Sequence, residues 1–174
     1  MKKIVSVFIG IIVLFLIFPS CTYKLSLNGS QIPVNMKTIR VDFFENNAAL
    51  VVNTLSQTFT EALKTRIRNT TRLSIIRNGE ADATMSGSIT DYTIAPASVE
   101  ASGSGVAPIA NQSRLTITVS VKYVNVLNKK DNFEETFSKY ENFTGDINAK
   151  EAGLITDITK QLTEDIFNKA FDNW

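Results

Sequence analysis

No histidine occurs anywhere in the chain, and cysteine occurs once, at Cys21. The first absence removes Ser-His-Asp and Cys-His catalysis and every histidine-ligated metal site. The second forbids an intrachain disulfide and a cysteine zinc cage. An excess of one charge sign is missing too. The 18 basic and 17 acidic residues leave a formal +1, so no strong field points to nucleic acid. No glycine loop is placed to cradle a phosphate, since Gly103 and Gly105 lie in a stretch that no helix pattern follows. Adjacent carboxylates such as Glu134 and Glu135 fall on opposite faces of a strand pattern and form no acid–base pair. Neither a cofactor nor an enzymatic activity is expected. What is present is 174 residues with 44% hydrophobic content, enough to bury the core of one domain.

Met1-Lys2-Lys3 opens the chain, and Ile4 to Phe18 is apolar apart from Ser6 and Gly10. A basic start and a short apolar run form the pattern of a secretory signal peptide. The run falls short of the about 20 residues that a membrane-spanning helix needs. It ends Phe18-Pro19-Ser20-Cys21, with the only cysteine directly after a small residue. This resembles a bacterial lipoprotein signal. The resemblance implies removal of residues 1–20, lipidation of the Cys21 thiol and acylation of the new amine by chains such as palmitate. Phe18 and Pro19 depart from the usual pattern, and an uncleaved anchor or a secreted chain with an incidental cysteine are the competing readings. Cleavage would remove Lys2 and Lys3 and leave 16 basic against 17 acidic side chains. Each buried acyl methylene contributes about 0.8 kcal/mol, so several chains on one cysteine anchor stably. Thr22-Tyr23-Lys24-Leu25 carries no acidic run after Cys21, which favours an outer-membrane location facing the periplasm.

Residues 21–36 then read as the lipidated cysteine and a tether, with Asn28-Gly29-Ser30 and Pro33 interrupting any period. Residues 37–174 read as the folded domain. Lys37 to Phe43 alternates and predicts a strand with Ile39, Val41 and Phe43 on one face. Thr54 and Gln57 fit a capping box for a helix whose inner side carries Val52, Leu55, Phe59, Ala62, Leu63 and Ile67. Arg66 falls on that side as well, either snorkelling from its edge or pairing with an acid from the sheet. Leu73 to Ile76 is a short strand, separate from the next one or continuous with it. From Ala81 to Tyr92 the period is two, with Ala83, Met85, Gly87 and Ile89 on one face and Tyr92 and Ile94 in opposite phase, so a bulge is expected near Thr90–Asp91. Residues 95–113 are rich in Ala, Ser, Gly and Pro and read as a long loop, either plain disorder or a contact segment for a partner.

Arg114 to Val126 alternates most cleanly, with Leu115, Ile117, Val119, Val121 and Tyr123 on one side and Thr116, Thr118, Ser120 and Lys122 on the other. A turn at 128–132 leads to a return strand with Phe133, Phe137, Tyr140 and Phe143 as its apolar posts. A closing helix from about Ala149 to Asn173 carries the stripe Ile155, Ile158, Leu162 and Ile166. Its flanking aromatics Phe167, Phe171 and Trp174 are either core or an anchor facing a partner or a membrane interface. The order β-α-β-β-β-α predicts an α+β two-layer sandwich, two helices packed on one face of a four-stranded mixed sheet.

Several stretches carry a resemblance across this whole mature chain: Cys21-Thr22-Tyr23, the alternating first strand, the helix Thr54-Leu55-Ser56-Gln57-Thr58-Phe59-Thr60-Glu61-Ala62-Leu63, the strand Ala81-Asp82-Ala83-Thr84-Met85-Ser86-Gly87-Ser88-Ile89, and the closing Glu164-Asp165-Ile166-Phe167-Asn168-Lys169-Ala170-Phe171. Together they resemble the lipopolysaccharide-assembly lipoprotein family, LptE. The resemblance implies a non-enzymatic outer-membrane lipoprotein that plugs and helps assemble an LptD-type β-barrel. It also implies contact with lipopolysaccharide on its way to the cell surface. A lipoprotein accessory to a different envelope complex is the alternative.

The expected partners are therefore that barrel, lipopolysaccharide and, through the anchor, the membrane, with no nucleic acid. Lys64, Arg66, Arg68, Arg72 and Arg77 crowd into a window without an acid. Guanidinium groups suit the phosphates and carboxylates of lipopolysaccharide through charge-assisted bonds. Lys64, Arg68, Arg72 and Arg77 are the candidate contacts. The competing reading is a solvated helix face and turn.

Overall fold

The computed structural model describes residues 32–97 and 112–171. The expected signal, Cys21, most of the expected tether, the middle of the 95–113 stretch and Trp174 lie outside the described residues. The strands are β1 (Thr38–Val41), β2 (Glu45–Asn46), β3 (Ser74–Ile76), β4 (Ala83–Pro96), β5 (Gln112–Asn125) and β6 (Phe133–Thr144). The helices are α1 (Leu55–Thr70) and α2 (Glu151–Phe171). All strands join one sheet in the order β3-β1-β4-β5-β6, with β2 also paired to β4. The pairs β1–β3, β1–β4 and β2–β4 are parallel, and β4–β5–β6 is an antiparallel meander. The α+β sandwich is as expected, but the sheet has six strands rather than four.

The two additional strands have physical causes. First, the expected 37–43 strand stops at Val41 and resumes as β2, both parts lying along the same edge of β4. Asp42 N still donates to the Met85 carbonyl (2.9 Å), after which the phase shifts. Phe43 turns outward, 57% exposed, and Phe44 is fully buried in its place. The Phe44 ring packs on Phe59 with centroids 5.1 Å apart, and its backbone N–H donates to Thr60 Oγ1 (3.1 Å). A cradle for that ring exists because residue 87 is glycine. A Cβ there would stand 2.7 Å from Cε1 of Phe44 and 2.0 Å from the Ser120 carbonyl oxygen. Second, β3 lies on the far side of β1 and so cannot continue into β4. The turn between them passes through Gly79 at φ +94°, a left-handed backbone that favours glycine.

The hairpin of β4 and β5 runs in register from Ala83↔Asn125 to Pro96↔Ser113. The expected 95–113 loop therefore begins and ends in strand, while its middle is outside the described residues. The register shifts between Ile89 and Asp91, where the bulge was expected, and Tyr92 returns to the core. On β5 the predicted inner residues Leu115, Ile117, Val119, Val121 and Tyr123 are all buried. On β6, Phe133, Phe137 and Phe143 face the core side, but Tyr140 does not. It pairs with Thr116 on the outer face, half exposed, with the Arg114 guanidinium 3.8 Å above its ring.

Leu55, Phe59, Leu63 and Ile67 of α1 and Ile155, Ile158, Leu162 and Ile166 of α2 cover the inner sheet face. Each such side chain contributes about 1.5–3 kcal/mol of burial. The expected capping box is not formed, because Thr54 has helical backbone angles and its side chain makes no cap bond. The first turn rests instead on Leu55 N donating to the Val52 carbonyl (3.1 Å). Phe167 and Phe171 are buried, and Phe171 meets the Tyr123 ring edge-on at 5.8 Å, so both are core. The start of α2 is tied to the sheet by the Tyr92 hydroxyl, which donates to Glu151 Oε1 (2.7 Å). Burial and this carboxylate push the phenol pKa well up, so the donor keeps its proton.

Candidate functional site

The helices occupy one sheet face, and among the described residues no element covers the other. Alternation puts Thr84, Ser86, Thr116, Thr118 and Ser120 on that outer face, opposite the buried Met85, Ile117 and Val119. Thr118 and Ser138 share a hydroxyl–hydroxyl bond across β5 and β6 (3.0 Å). The Lys122–Glu134 pair (3.2 Å) and the Arg114–Tyr140 contact lie on the same surface. The result is a broad, mostly neutral surface of hydroxyl groups on a rigid strand scaffold.

The basic window divides among several places. Lys64 Nζ and Arg68 Nη2 converge on Glu61, at 3.0 and 3.8 Å. Glu61 lies one helical turn before the window, so the spacing at i,i+3 was the signal for this pairing. Arg66 reaches neither solvent alone nor a sheet acid. It binds α2, donating to the Lys160 carbonyl (3.2 Å), Glu164 Oε2 (3.4 Å) and Thr163 Oγ1 (3.4 Å). Its partner comes from the helix because α1 and α2 lie side by side and the α1 inner stripe is already filled by Leu63 and Ile67. Arg72 follows the end of α1 and Arg77 follows β3; both are exposed and make no ion pair among the described residues. Of the four candidates, only these two hold an uncommitted guanidinium. Cys21 lies outside the described residues.

Two features escaped the sequence. A groove of about 630 Å³ runs between α1 and α2, walled by small side chains such as Thr58, Ala62, Thr65 and Thr156. Thr159 lines it, with a buried hydroxyl that has no partner among the described residues. Threonines at helical spacing were the only signal, and they are not distinctive. The second feature is Asp82. Its carboxylate accepts Lys37 N (2.8 Å), Thr38 N (2.9 Å) and Thr38 Oγ1 (3.0 Å), and its own N–H donates back to Thr38 Oγ1 (3.0 Å). The backbone N–H of Lys37, then that of Thr38, hold its pKa below the ordinary carboxylate value. No described helix is long and apolar enough to cross a membrane.

These features define a two-layer α+β domain with one helix-covered sheet face and one hydroxyl-covered face. Solved structures share the fold at low identity. A minor lipoprotein from Acinetobacter baumannii is similar at 13% identity and a TM-score of 0.50, over 77% of this chain and 91% of its own. A hypothetical protein from Chlamydia trachomatis is similar at 8% identity and a TM-score of 0.54, over 77% of this chain and 95% of its own. A Xanthomonas campestris protein follows at 9% identity and a TM-score of 0.52, over 76% of this chain and 82% of its own. No curated protein matches the chain. The lipopolysaccharide-assembly family model, LptE, matches residues 36–170, so the chain belongs to the LptE family of lipopolysaccharide-assembly proteins.

Proposed function

We propose that the chain is an outer-membrane lipoprotein held by acylated Cys21, facing the periplasm. Its domain plugs and helps assemble an LptD-type β-barrel and contacts lipopolysaccharide during its insertion at the cell surface. Membership of the LptE family over nearly the whole described domain carries this reading. Barrel lumens are polar, and the hydroxyl-covered sheet face supplies a matching wall without a large charge to desolvate. The work is a matter of fit and contact, with no bond made or broken in a substrate.

Lys64, Arg68, Arg72 and Arg77 remain the proposed lipopolysaccharide contacts, with Arg72 and Arg77 carrying most of the effect. Lys64 and Arg68 already share Glu61. Replacing Arg72 and Arg77 by Ser is expected to weaken lipopolysaccharide binding by about tenfold, the scale of two solvent-exposed charge pairs. Replacing Lys64 and Arg68 is expected to cost less. Equal binding by parent and all variants, measured on immobilised lipopolysaccharide, removes the patch from the proposal.

The reading as a whole is tested by purifying the tagged protein from outer membranes. A stoichiometric LptD-type barrel in the eluate is expected. A different envelope partner, together with unchanged surface lipopolysaccharide after depletion, would replace the reading with the accessory-lipoprotein alternative. A fold of this kind does not by itself choose between them.

A further inference from the structure

The strand register gathers one end of the domain around the point where the described chain begins. Lys37 precedes β1, Arg72 precedes β3 by two residues, and Val126 follows β5. Ser74 N donates to the Lys37 carbonyl (2.8 Å) and Val126 N to the Asp82 carbonyl (2.9 Å), so these segments meet. Pro33 lines a cleft of about 420 Å³ with Asn128, Lys130 and Phe171, which places the incoming chain against the β5–β6 turn.

Three aliphatic side chains stand in water at this end: Val34 is 85% exposed, Val126 63% and Leu127 42%. Lys37, Arg72, Lys129 and Lys130 are exposed beside them, and none forms an ion pair among the described residues. The acids here are mostly engaged. Asp82 holds the β1 backbone, Asp131 takes the amides of Asn125 and Asn128, and Glu135 is paired with Lys169 at 2.7 Å. Glu80 is the exposed exception.

The β5–β6 turn is tied together by the side chain and backbone of Asn125. Buried Asn125 accepts Leu127 N (2.9 Å) and Asn128 N (3.0 Å) on its side-chain oxygen and donates its amide to Asp131 Oδ2 (3.0 Å). Its backbone N–H goes to Asn132 Oδ1 (2.7 Å). A satisfied network thus holds two aliphatic side chains out in water, next to the adjacent Lys129 and Lys130. Exposed apolar groups with flanking cations match a lipid interface, where short apolar insertions and attraction to anionic headgroups act together.

We propose that this end of the domain docks on an anionic phospholipid surface. Val34, Val126 and Leu127 enter the headgroup layer, and Lys37, Lys129 and Lys130 meet lipid phosphates. The direction of docking rests on the reading of Cys21 as a lipid anchor. From Cys21 to Ile32 the chain spans about 40 Å at full stretch, so an anchored domain is held within reach of the bilayer.

The test uses protein of residues 21–174 carrying Cys21→Ser, which has no acyl chain and contains every described element. It is floated with vesicles of phosphatidylcholine alone or mixed with phosphatidylglycerol. Partition into the mixed vesicles is expected, with much less into phosphatidylcholine. Lys129→Gln with Lys130→Gln is expected to reduce it more than tenfold, about fivefold for each lysine. Val126→Ser with Leu127→Ser is expected to reduce it in both salt and water. An unchanged melting curve separates lost docking from lost folding, and Lys37→Gln is a second variant that alters no buried group and is expected to reduce partition about fivefold. No partition by the parent, equal uptake by phosphatidylcholine, or partition unmoved by the substitutions overturns the proposal. Capture of the parent by a barrel in place of vesicles would assign the surface to protein. Acylation of Cys21 is read separately, by mass spectrometry of the membrane-extracted protein, so the two proposals fail independently.

Discussion

The Asp82 carboxylate takes two backbone N–H groups and a hydroxyl from Lys37 and Thr38, and so clamps the start of β1 to the start of β4. Donors to a carboxylate favour its charged form, which is why the pKa is lowered. A group whose folded pKa is depressed contributes stability that is present above its unfolded value, about 3.9 for aspartate, and lost as pH falls through the folded value. Stability in urea is therefore expected to decline as the pH drops below about 4. In Asp82→Asn that part of the decline is missing and the protein is less stable at neutral pH. Denaturation midpoints measured across the acid range check both. Ala81-Asp82 stood out in the sequence as part of a resemblance, yet its job was not legible, because its partner lies 44 residues away. Arg66 shows the same limit. Its inward position was readable from the helical period, but the choice of Glu164 as partner depends on where the second helix lies.

Strands and helices were legible where one periodicity ran uninterrupted. The five inner residues of β5 and the stripe of α2 are buried as the alternation and the helical period predict. Even the β4 bulge was readable, since a switch of phase leaves a mark in sequence. The break between β1 and β2 was not. Phe43 and Phe44 are adjacent and both apolar, so either phase satisfies the pattern, and the decision falls to the space above Gly87. Gly87→Ala pushes a methyl into the Ser120 carbonyl and the Phe44 ring. Overpacking of this kind costs about 1–3 kcal/mol, and this site belongs at the upper limit because the nearest atom is backbone. A lower melting temperature with Phe44 displaced, seen as changed aromatic ring shifts in NMR spectra, is the expected outcome.

Over the whole domain, the two sheet faces differ in kind: one is apolar and roofed by helices, the other hydroxylated and open among the described residues. The alternation of β5 already indicated one wet face. How far that face extends, and which cations collect at the end where β1 begins, are products of topology, since strands distant in sequence contribute to both. If the open face sits against a barrel wall, charge placed on it should disturb assembly without disturbing the fold. Thr118→Lys with Ser138→Lys touches no core side chain but removes one hydroxyl–hydroxyl bond and sets two like charges opposite each other, so a loss of about 1–2 kcal/mol is expected with the fold retained. Recovery of the barrel in the eluate is expected to fall sharply. Unchanged recovery would move the barrel contact elsewhere.

The parallel alignment of β1 with both β3 and β4 also sets an order of events for the newborn chain. Contacts between distant segments form slowly, whereas β5 and β6 meet through a short turn. The segment nearest Cys21 is thus expected to lock in last. Until β3 and β4 have emerged and collapsed, β1 has no groove to enter, and under the proposal that Cys21 is acylated the leading stretch of polypeptide stays free for that processing.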